Sequence, residues 1–456
     1  MSKDLVSAGH LVEDDFSIPD QILSGIAVEF QMALQAGLRG EKSSLGMFPS
    51  FLKAPDGQVC GQFLALDFGG TNVRGSLVDL QGAGKHRETN YVTLPLIDQV
   101  AGQDLTTERT NAERLFDFVA TVAKAALGQG TQRELDPMPL GFTFSFPCRQ
   151  ENLTKAVLLK WVKEIKVAGA VGEDAGRMLC DALQRLGLSK LELKAITNDT
   201  VATLLAGAYR DPTVDVASII GTGHNTCYLE LNAPGISGPM IINTEAGNFD
   251  RLPMTDWDRL LDAQSKNPGE QRLEKMVSGR YLGELFRLIW QRFWSEGQIP
   301  YGPEQFSEPY TVSGRDIAVF LSPRTANVGS SFDSGSNAET NNVGFEKVNR
   351  EVALWSGRDK AAAEFLRTIA EALIRRSAYL VAATYTGLLT HLDPGLTKQH
   401  NIAIDGSLYE KMPGYQANLN TVLQLLLGPK ASMVNTKLVK DGSRLGAAVA
   451  AAIAMR

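Results

Sequence analysis

Two glycine-threonine turns, far apart in the chain, constrain its fold more than any other feature. The first is Leu66-Asp67-Phe68-Gly69-Gly70-Thr71-Asn72-Val73-Arg74-Gly75, the second Ile219-Ile220-Gly221-Thr222-Gly223-His224-Asn225-Thr226. Each lies between two apolar, strand-like runs, residues 62–66 and 73–80 for the first and 216–220 and 226–231 for the second. A β-hairpin that turns on Gly-Gly-Thr or Gly-Thr-Gly presents backbone N–H groups and a hydroxyl with no side chain in the way. A polyphosphate needs such a surface, and two hairpins of this kind suggest that phosphates are gripped from two sides.

A chain of 456 residues is too long for one comfortable core, so two or three domains are expected. Its 45 basic and 51 acidic side chains leave a net charge of −6, which argues against nucleic acid as the main partner. A nucleotide, bound locally and with a metal, is not excluded. Cys60, Cys148, Cys180 and Cys227 are isolated and the five histidines are scattered, so neither a disulfide framework nor a zinc site is expected. The opening Met-Ser-Lys-Asp-Leu has no apolar signal core. No run approaches the ~20 apolar residues of a membrane span. These features predict a cytoplasmic protein without membrane attachment.

The periodicity predicts an α/β chain. Residues 1–60 read as helical and peripheral, with Ile22, Ile26, Phe30, Met32 and Leu34 on one stripe. Helices are expected at 111–127, 173–186, 201–209, 272–294 and 361–392, the last broken near Thr384–Thr386. Strands are expected at 140–146, 191–197, 240–242 and 401–404, and the apolar tail 446–455 reads as a buried helix. The segment 329–342, rich in Ser, Gly and Asn, reads as a mobile loop or insertion. The order hairpin, helix, strand, helix, strand recurs loosely, a weak internal repeat. Two such halves facing one another would make a cleft suited to a small molecule.

Several residues within this frame could carry chemistry. Asp67, two positions before Gly69, would repel phosphate unless a cation such as Mg²⁺ lies between them; it could equally initiate a tight turn. Asp199, in Asn198-Asp199-Thr200, reads as a helix cap or as a general base at the mouth of an αβ cleft. Transfer of a phosphoryl group to a hydroxyl needs one such carboxylate, the rest being positioning and charge neutralisation. Glu274 reads as a solvated helix acid, Lys163 as a surface lysine and Ser145 as a strand serine, if each is taken alone. Glu245, in Asn243-Thr244-Glu245-Ala246-Gly247, also lies in a stretch that otherwise looks structural.

Together these segments resemble the hexokinase family, the sugar kinases of the actin-like ATPase fold. The likeness covers nearly the whole chain, from about residue 15 onward. It is most specific at 66–74, 140–148, 197–209, 221–230, 267–284 and 403–409, which include Gly141-Phe142-Thr143-Phe144-Ser145-Phe146-Pro147 and Asn267-Pro268-Gly269. The resemblance implies two actin-like (ribonuclease H-like) αβ domains, small and large, separated by a deep cleft. The small one would span 61–196, with the terminal helix 441–456 packed on it, and the large one 1–60 and 197–440.

The resemblance also implies roles. Asp199 would take the proton from the 6-hydroxyl of a hexose, with glucose the expected sugar. Ser145, Lys163, Asn198, Asn225, Asn243, Glu245 and Glu274 would bind the sugar. Asp67, Gly69, Gly70, Thr71, Asn72 and Arg74 would form one phosphate loop for ATP, and Gly221, Thr222 and Gly223 the other. Gly406, Ser407, Asp441, Gly442 and Ser443 would lie along the adenosine, and Asp67 would hold Mg²⁺ through water.

This chain departs from the family's pattern in two places. It has Trp161-Val162-Lys163-Glu164-Ile165 where the family usually has Trp-Thr-Lys-Gly-Phe, and Ala246 where Trp is common. A non-catalytic hexose sensor, or a kinase for mannose, fructose or glucosamine, is the alternative expectation.

Overall fold

The computed structural model describes residues 2–128, 137–162, 165–232, 235, 238–299, 302, 308–322 and 359–456. The segment 329–342, Lys163 and Glu164 lie outside the described residues.

Strands β1 (Cys60–Phe68), β2 (Asn72–Gly82), β3 (Lys85–Pro95), β4 (Met138–Phe144) and β5 (Leu191–Thr197) form one sheet in the order β5-β4-β1-β2-β3. Strands β6 (Val214–Ile220), β7 (His224–Glu230), β8 (Met240–Asn243), β9 (His400–Asp405) and β10 (Val434–Leu438) form the second, in the order β8-β7-β6-β9-β10. The pair Phe48–Pro49 adds an antiparallel edge beyond β8. In each sheet the first three strands are an antiparallel meander, and the fourth and fifth run parallel to the first. The weak repeat in the sequence is therefore a duplicated sheet topology, each half opening on one of the two glycine-threonine hairpins.

Central strands of this fold are buried on both faces, so they read as continuous apolar runs rather than alternating ones. In β1, Leu64 and Leu66 face a core shared with the helix Ala112–Leu127, while Phe63 and Ala65 face a second layer. That layer lies between the sheets and is built from the helix Asp199–Arg210 and the terminal helix Gly442–Ala454. The two helices touch closely because glycines remove the intervening side chains. A Cβ at Gly446 would lie 2.1 Å from the Ala202 carbonyl oxygen, and one at Gly141 in β4 would lie 1.9 Å from that of Ala447.

Helix starts are set by short polar caps. The side chains of Asn111, Asp174 and Asn198 accept hydrogen bonds from the backbone N–H groups of Arg114, Gly176 and Val201. Four expectations need correction. The N-terminal segment is not peripheral: Leu5, Val12 and Phe16 are buried in the larger core. The buried stripe of the helix Asp20–Leu38 is Leu23, Ile26, Ala27, Phe30, Ala33 and Leu34, whereas Ile22 and Met32 are exposed. The helix Lys360–Leu392 is unbroken, and the hydroxyls of Thr384 and Thr386 donate to the carbonyls of Val381 and Ala382 within it. The 272–294 run is two helices, Arg272–Val277 and Gly279–Ser295, divided at Ser278, whose extended backbone interrupts the ladder.

Candidate active site

The first turn closes with Gly69 N–H donating to the Asn72 carbonyl at 3.2 Å, and Thr71 is tied to the next segment by the Leu96 N–H at 2.9 Å. The Ser145 N–H donates to the Phe68 carbonyl at 3.1 Å, so the end of β4 sits beside this turn. Asp67 is buried, and Arg74 Nη1 lies 3.1 Å from its carboxylate. Burial pushes the Asp67 carboxyl above the usual carboxylate range; Arg74 and Arg444 oppose that shift, and the charge of Asp199 adds to it.

The second turn is braced from below. Gly221 N–H donates to the Gly223 carbonyl at 3.0 Å, and the Gly279 and Arg280 N–H groups donate to the carbonyls of Gly221 and Thr222 at 2.8 and 3.3 Å. Gly406 has φ +128, and a Cβ there would lie 2.3 Å from the Ile220 carbonyl oxygen. Only glycine permits that approach, which sets Gly406-Ser407 against the turn. His224 is buried and its pKa is lowered to about 4 by burial, so the turn carries no imidazolium at neutral pH.

The polar residues that follow form a relay. Asn225 Nδ2 donates to Asn243 Oδ1 at 2.8 Å, and Asn243 Nδ2 donates to Glu245 Oε1 at 2.8 Å. Asn225 Oδ1 accepts from the Ala246 N–H at 3.1 Å. Glu245 holds a left-handed backbone, φ 50, an unfavourable conformation for a non-glycine residue that surrounding contacts must maintain. Glu274 is not a solvated acid. Its Oε2 accepts from the His224 N–H at 3.2 Å, which places it between the second turn and Gly247. Lys275, beside it, is buried and binds Asp262 at 2.6 Å and the Asn267 carbonyl at 2.7 Å, fixing the Asn267-Pro268-Gly269 loop.

Asp199 begins its helix between the two sheets. Its Oδ1 accepts from the Thr200 N–H at 2.8 Å, while Asn198 provides the cap. Asn198 and Asn243 line one crevice with Phe146, Gln150, Thr197 and Phe48. Cys148 also lines it, and burial pushes its thiol up to about 12, which leaves it inert. On the facing bank, the Trp161 indole donates to the Val167 carbonyl at 2.9 Å, and Val162 packs on the smaller core. Val162, in the position where Thr is usual, thus faces apolar surroundings.

The structure adds one acid that the motifs did not single out. Asp405, at the end of β9, has its carboxyl pushed up to about 7 by burial, with the charges of Asp199, Asp441 and Asp67 adding to the shift. The repeat was the available signal. Asp405 closes the fourth strand of its sheet, as Ser145 follows the fourth strand of the other. Among the described residues no three His, Cys, Asp or Glu side chains lie close enough to chelate a metal directly.

Sequence and structure comparisons agree with this geometry. Two hexokinase family models match, one over residues 10–209 and the other over 215–453. The chain is 36% identical over 462 residues to Hexokinase-7 of Oryza sativa subsp. japonica, covering 97% of this chain and 95% of that one. It superposes on a hexokinase crystal structure with a TM-score of 0.81 at 32% identity, each chain fully covered. It also superposes on the glucose complex of Schistosoma mansoni hexokinase with a TM-score of 0.82 at 29% identity and 99% coverage of both. Two phosphate-type turns, a carboxylate at a helix start between the sheets, and these matches over nearly the whole chain place the protein in the hexokinase family, as a phosphotransferase that acts on a hexose hydroxyl.

Proposed function

We propose that the protein transfers the γ-phosphoryl group of ATP to the 6-hydroxyl of glucose, with Asp199 as general base. The observation that carries this reading is that Asn198, next to Asp199, and Asn243, the middle of the carboxamide relay, line one crevice. A sugar offers several hydroxyls, and a row of amides and carboxylates can fork across neighbouring ones. The glucose complex of the Schistosoma mansoni enzyme supports glucose as the sugar.

In this reading Glu245, Asn243, Asn225 and Glu274 hold the sugar from the larger half, and Ser145 and Lys163 from the smaller. Asp199 accepts the 6-hydroxyl proton as its oxygen attacks phosphorus. The first turn, Asp67 to Arg74, and the second, Gly221 to Gly223, receive the phosphates. Gly406, Ser407 and the Asp441-Gly442-Ser443 turn hold the adenosine. The crowded acids Asp67 and Asp405, both pushed up in pKa, fit a cation held through water and phosphate rather than by direct chelation. When bound, Mg²⁺ would neutralise charge on the phosphates.

Residues 61–196 with 441–456, and 1–60 with 197–440, would close on the sugar and exclude water, which competes as acceptor. Four unpaired cysteines support a cytoplasmic setting, and no helix among the described residues is long and apolar enough to cross a membrane.

The test is purified protein with Mg-ATP and glucose, which should yield glucose 6-phosphate. Asp199→Ala should lower kcat by about 10²–10⁴-fold with glucose binding retained in calorimetry. Near-normal turnover would remove Asp199 from its role. Glucose binding without transfer from any donor would make the protein a sensor. A panel with mannose, fructose and glucosamine, read as kcat/KM, fixes the sugar.

A further inference from the structure

We propose that Arg444 is a positioning residue for the nucleotide, clamping the Asp441-Gly442-Ser443 turn to the outer edge of the smaller sheet. The proposal rests on the reading of that turn as part of the adenosine site. Arg444 lies in the first turn of the terminal helix and is 4% exposed. Its Nε donates to Glu88 Oε1 on the edge strand β3, and its Nη2 lies 3.3 Å from the Asp441 carboxylate. The guanidinium carbon sits 4.4 Å from the centroid of the Tyr91 ring, also on β3. Glu88 Oε1 further accepts from the Ser76 hydroxyl on β2 at 2.6 Å. One buried cation therefore ties the terminal helix to two strands.

This arrangement suits arginine and no other cation. A buried charge is tolerated only when paired, and a fork that bonds two carboxylates while stacking on a ring needs the planar guanidinium. The turn itself has a reason to need a clamp. Asp441 holds a left-handed backbone, φ 55, which a non-glycine residue keeps only when its surroundings impose it. On the other side, the Thr143 hydroxyl donates to the Ser443 carbonyl at 2.8 Å, and Gly442 abuts Thr203. Those contacts do not involve Arg444. Its loss would therefore free one flank of the turn while the helix stays packed. The sugar-facing residues on β7, β8 and the helix Arg272–Val277 make none of these contacts, so the effect should fall on the nucleotide alone.

The test is steady-state kinetics of the full-length enzyme, with ATP and glucose varied separately, for Arg444→Gln, Arg444→Lys, Glu88→Gln and the Arg444→Gln/Glu88→Gln double variant. Arg444→Gln should raise KM for ATP about tenfold and leave KM for glucose within about twofold. Arg444→Lys, which keeps the charge but not the fork, should fall between it and the wild type. Glu88→Gln should shift KM in the same direction, and the double variant should be no worse than Arg444→Gln, because both remove one contact. An equal loss of kcat at unchanged KM for both substrates would mean a merely structural arginine and would overturn the proposal. If Arg444→Gln does not fold, Glu88→Gln decides alone: an unchanged KM for ATP overturns it. A wild-type enzyme inactive with ATP would instead overturn the nucleotide assignment on which the clamp rests.

Discussion

The Lys160 ammonium lies 2.7 Å from the Glu270 carboxylate, joining the loop that carries Trp161 to the loop that carries Asn267-Pro268-Gly269. The two loops pack on different cores, one beside that of the smaller sheet and one before the helix Arg272–Val277, whose apolar face lies in the larger core. Both side chains are about half exposed, so the pair is a weak tie of about 0.2–1 kcal/mol. Lys160→Glu should raise KM for the sugar by a few-fold at low salt and less at high salt. Adding Glu270→Lys should restore it. Sugar kinetics indifferent to the single reversal would show that this pair does not join the two loops in solution.

The carboxamide relay predicts a sugar-specific loss. Asn243→Ala removes the donor to Glu245 and the acceptor for Asn225 together. Hydrogen bonds to charged groups are worth about 1.5–3 kcal/mol, so kcat/KM for the sugar should fall about 10–100-fold with KM for ATP unchanged. A comparable rise in both KM values would place the relay in the scaffold rather than against substrate.

Arg376 and Asp258 form a two-pronged pair, at 2.7 and 2.9 Å, with both side chains almost wholly buried and Phe16 stacked on the guanidinium at 4.5 Å. Arg376→Met would strand the carboxylate and should destabilise by about 3–5 kcal/mol in urea unfolding. The double variant with Asp258→Asn should recover much of that loss. If Arg376→Met alone is neutral, the pair is not desolvated as its burial implies.

His400 is fully buried, with Nδ1 2.7 Å from Asp215 and Nε2 3.4 Å from Asp393, while Lys398 reaches Asp215 at 3.3 Å. Burial lowers its pKa and Lys398 opposes its charge, but the hydrogen bond and charge of Asp215, aided by Asp393, outweigh both and raise it. A raised histidine stabilises the fold fully below the unfolded value, about 6.5, and that contribution is lost as pH rises through the folded value. The wild type should thus exceed His400→Gln in urea midpoint by more at pH 6 than at pH 8.5. A gap that does not change with pH would mean that His400 is neutral in the folded protein.

Much of the fold was legible because its signals are local. The Gly-Thr turns, the helix starts at 111 and just after Asn198, and the buried runs of β1, β5 and β9 each lie within a few residues. The expected break in the helix at 361–392 falls at Thr384–Thr386, whose hydroxyls could have competed with the backbone. In the structure those hydroxyls bond back within the helix instead. In the helix Asp20–Leu38 the expected Ile26, Phe30 and Leu34 meet the core, while Leu23 and Ala33 take the places expected of Ile22 and Met32, a choice that only the packing partner decides.

The site divides in the same way. The sequence alone determined that the chain would carry two glycine-rich hairpins, and that Asp199 would begin a helix directly after a strand. Those features depend on backbone freedom and capping over a few consecutive residues. The tertiary structure alone decided that Glu274 turns inward to the second hairpin, that Asp405 joins the crowded acids, and that Arg444 reaches Glu88 across 356 positions of chain. Each of these depends on which strands and helices, far apart in the chain, the fold brings side by side, and no local pattern encodes that.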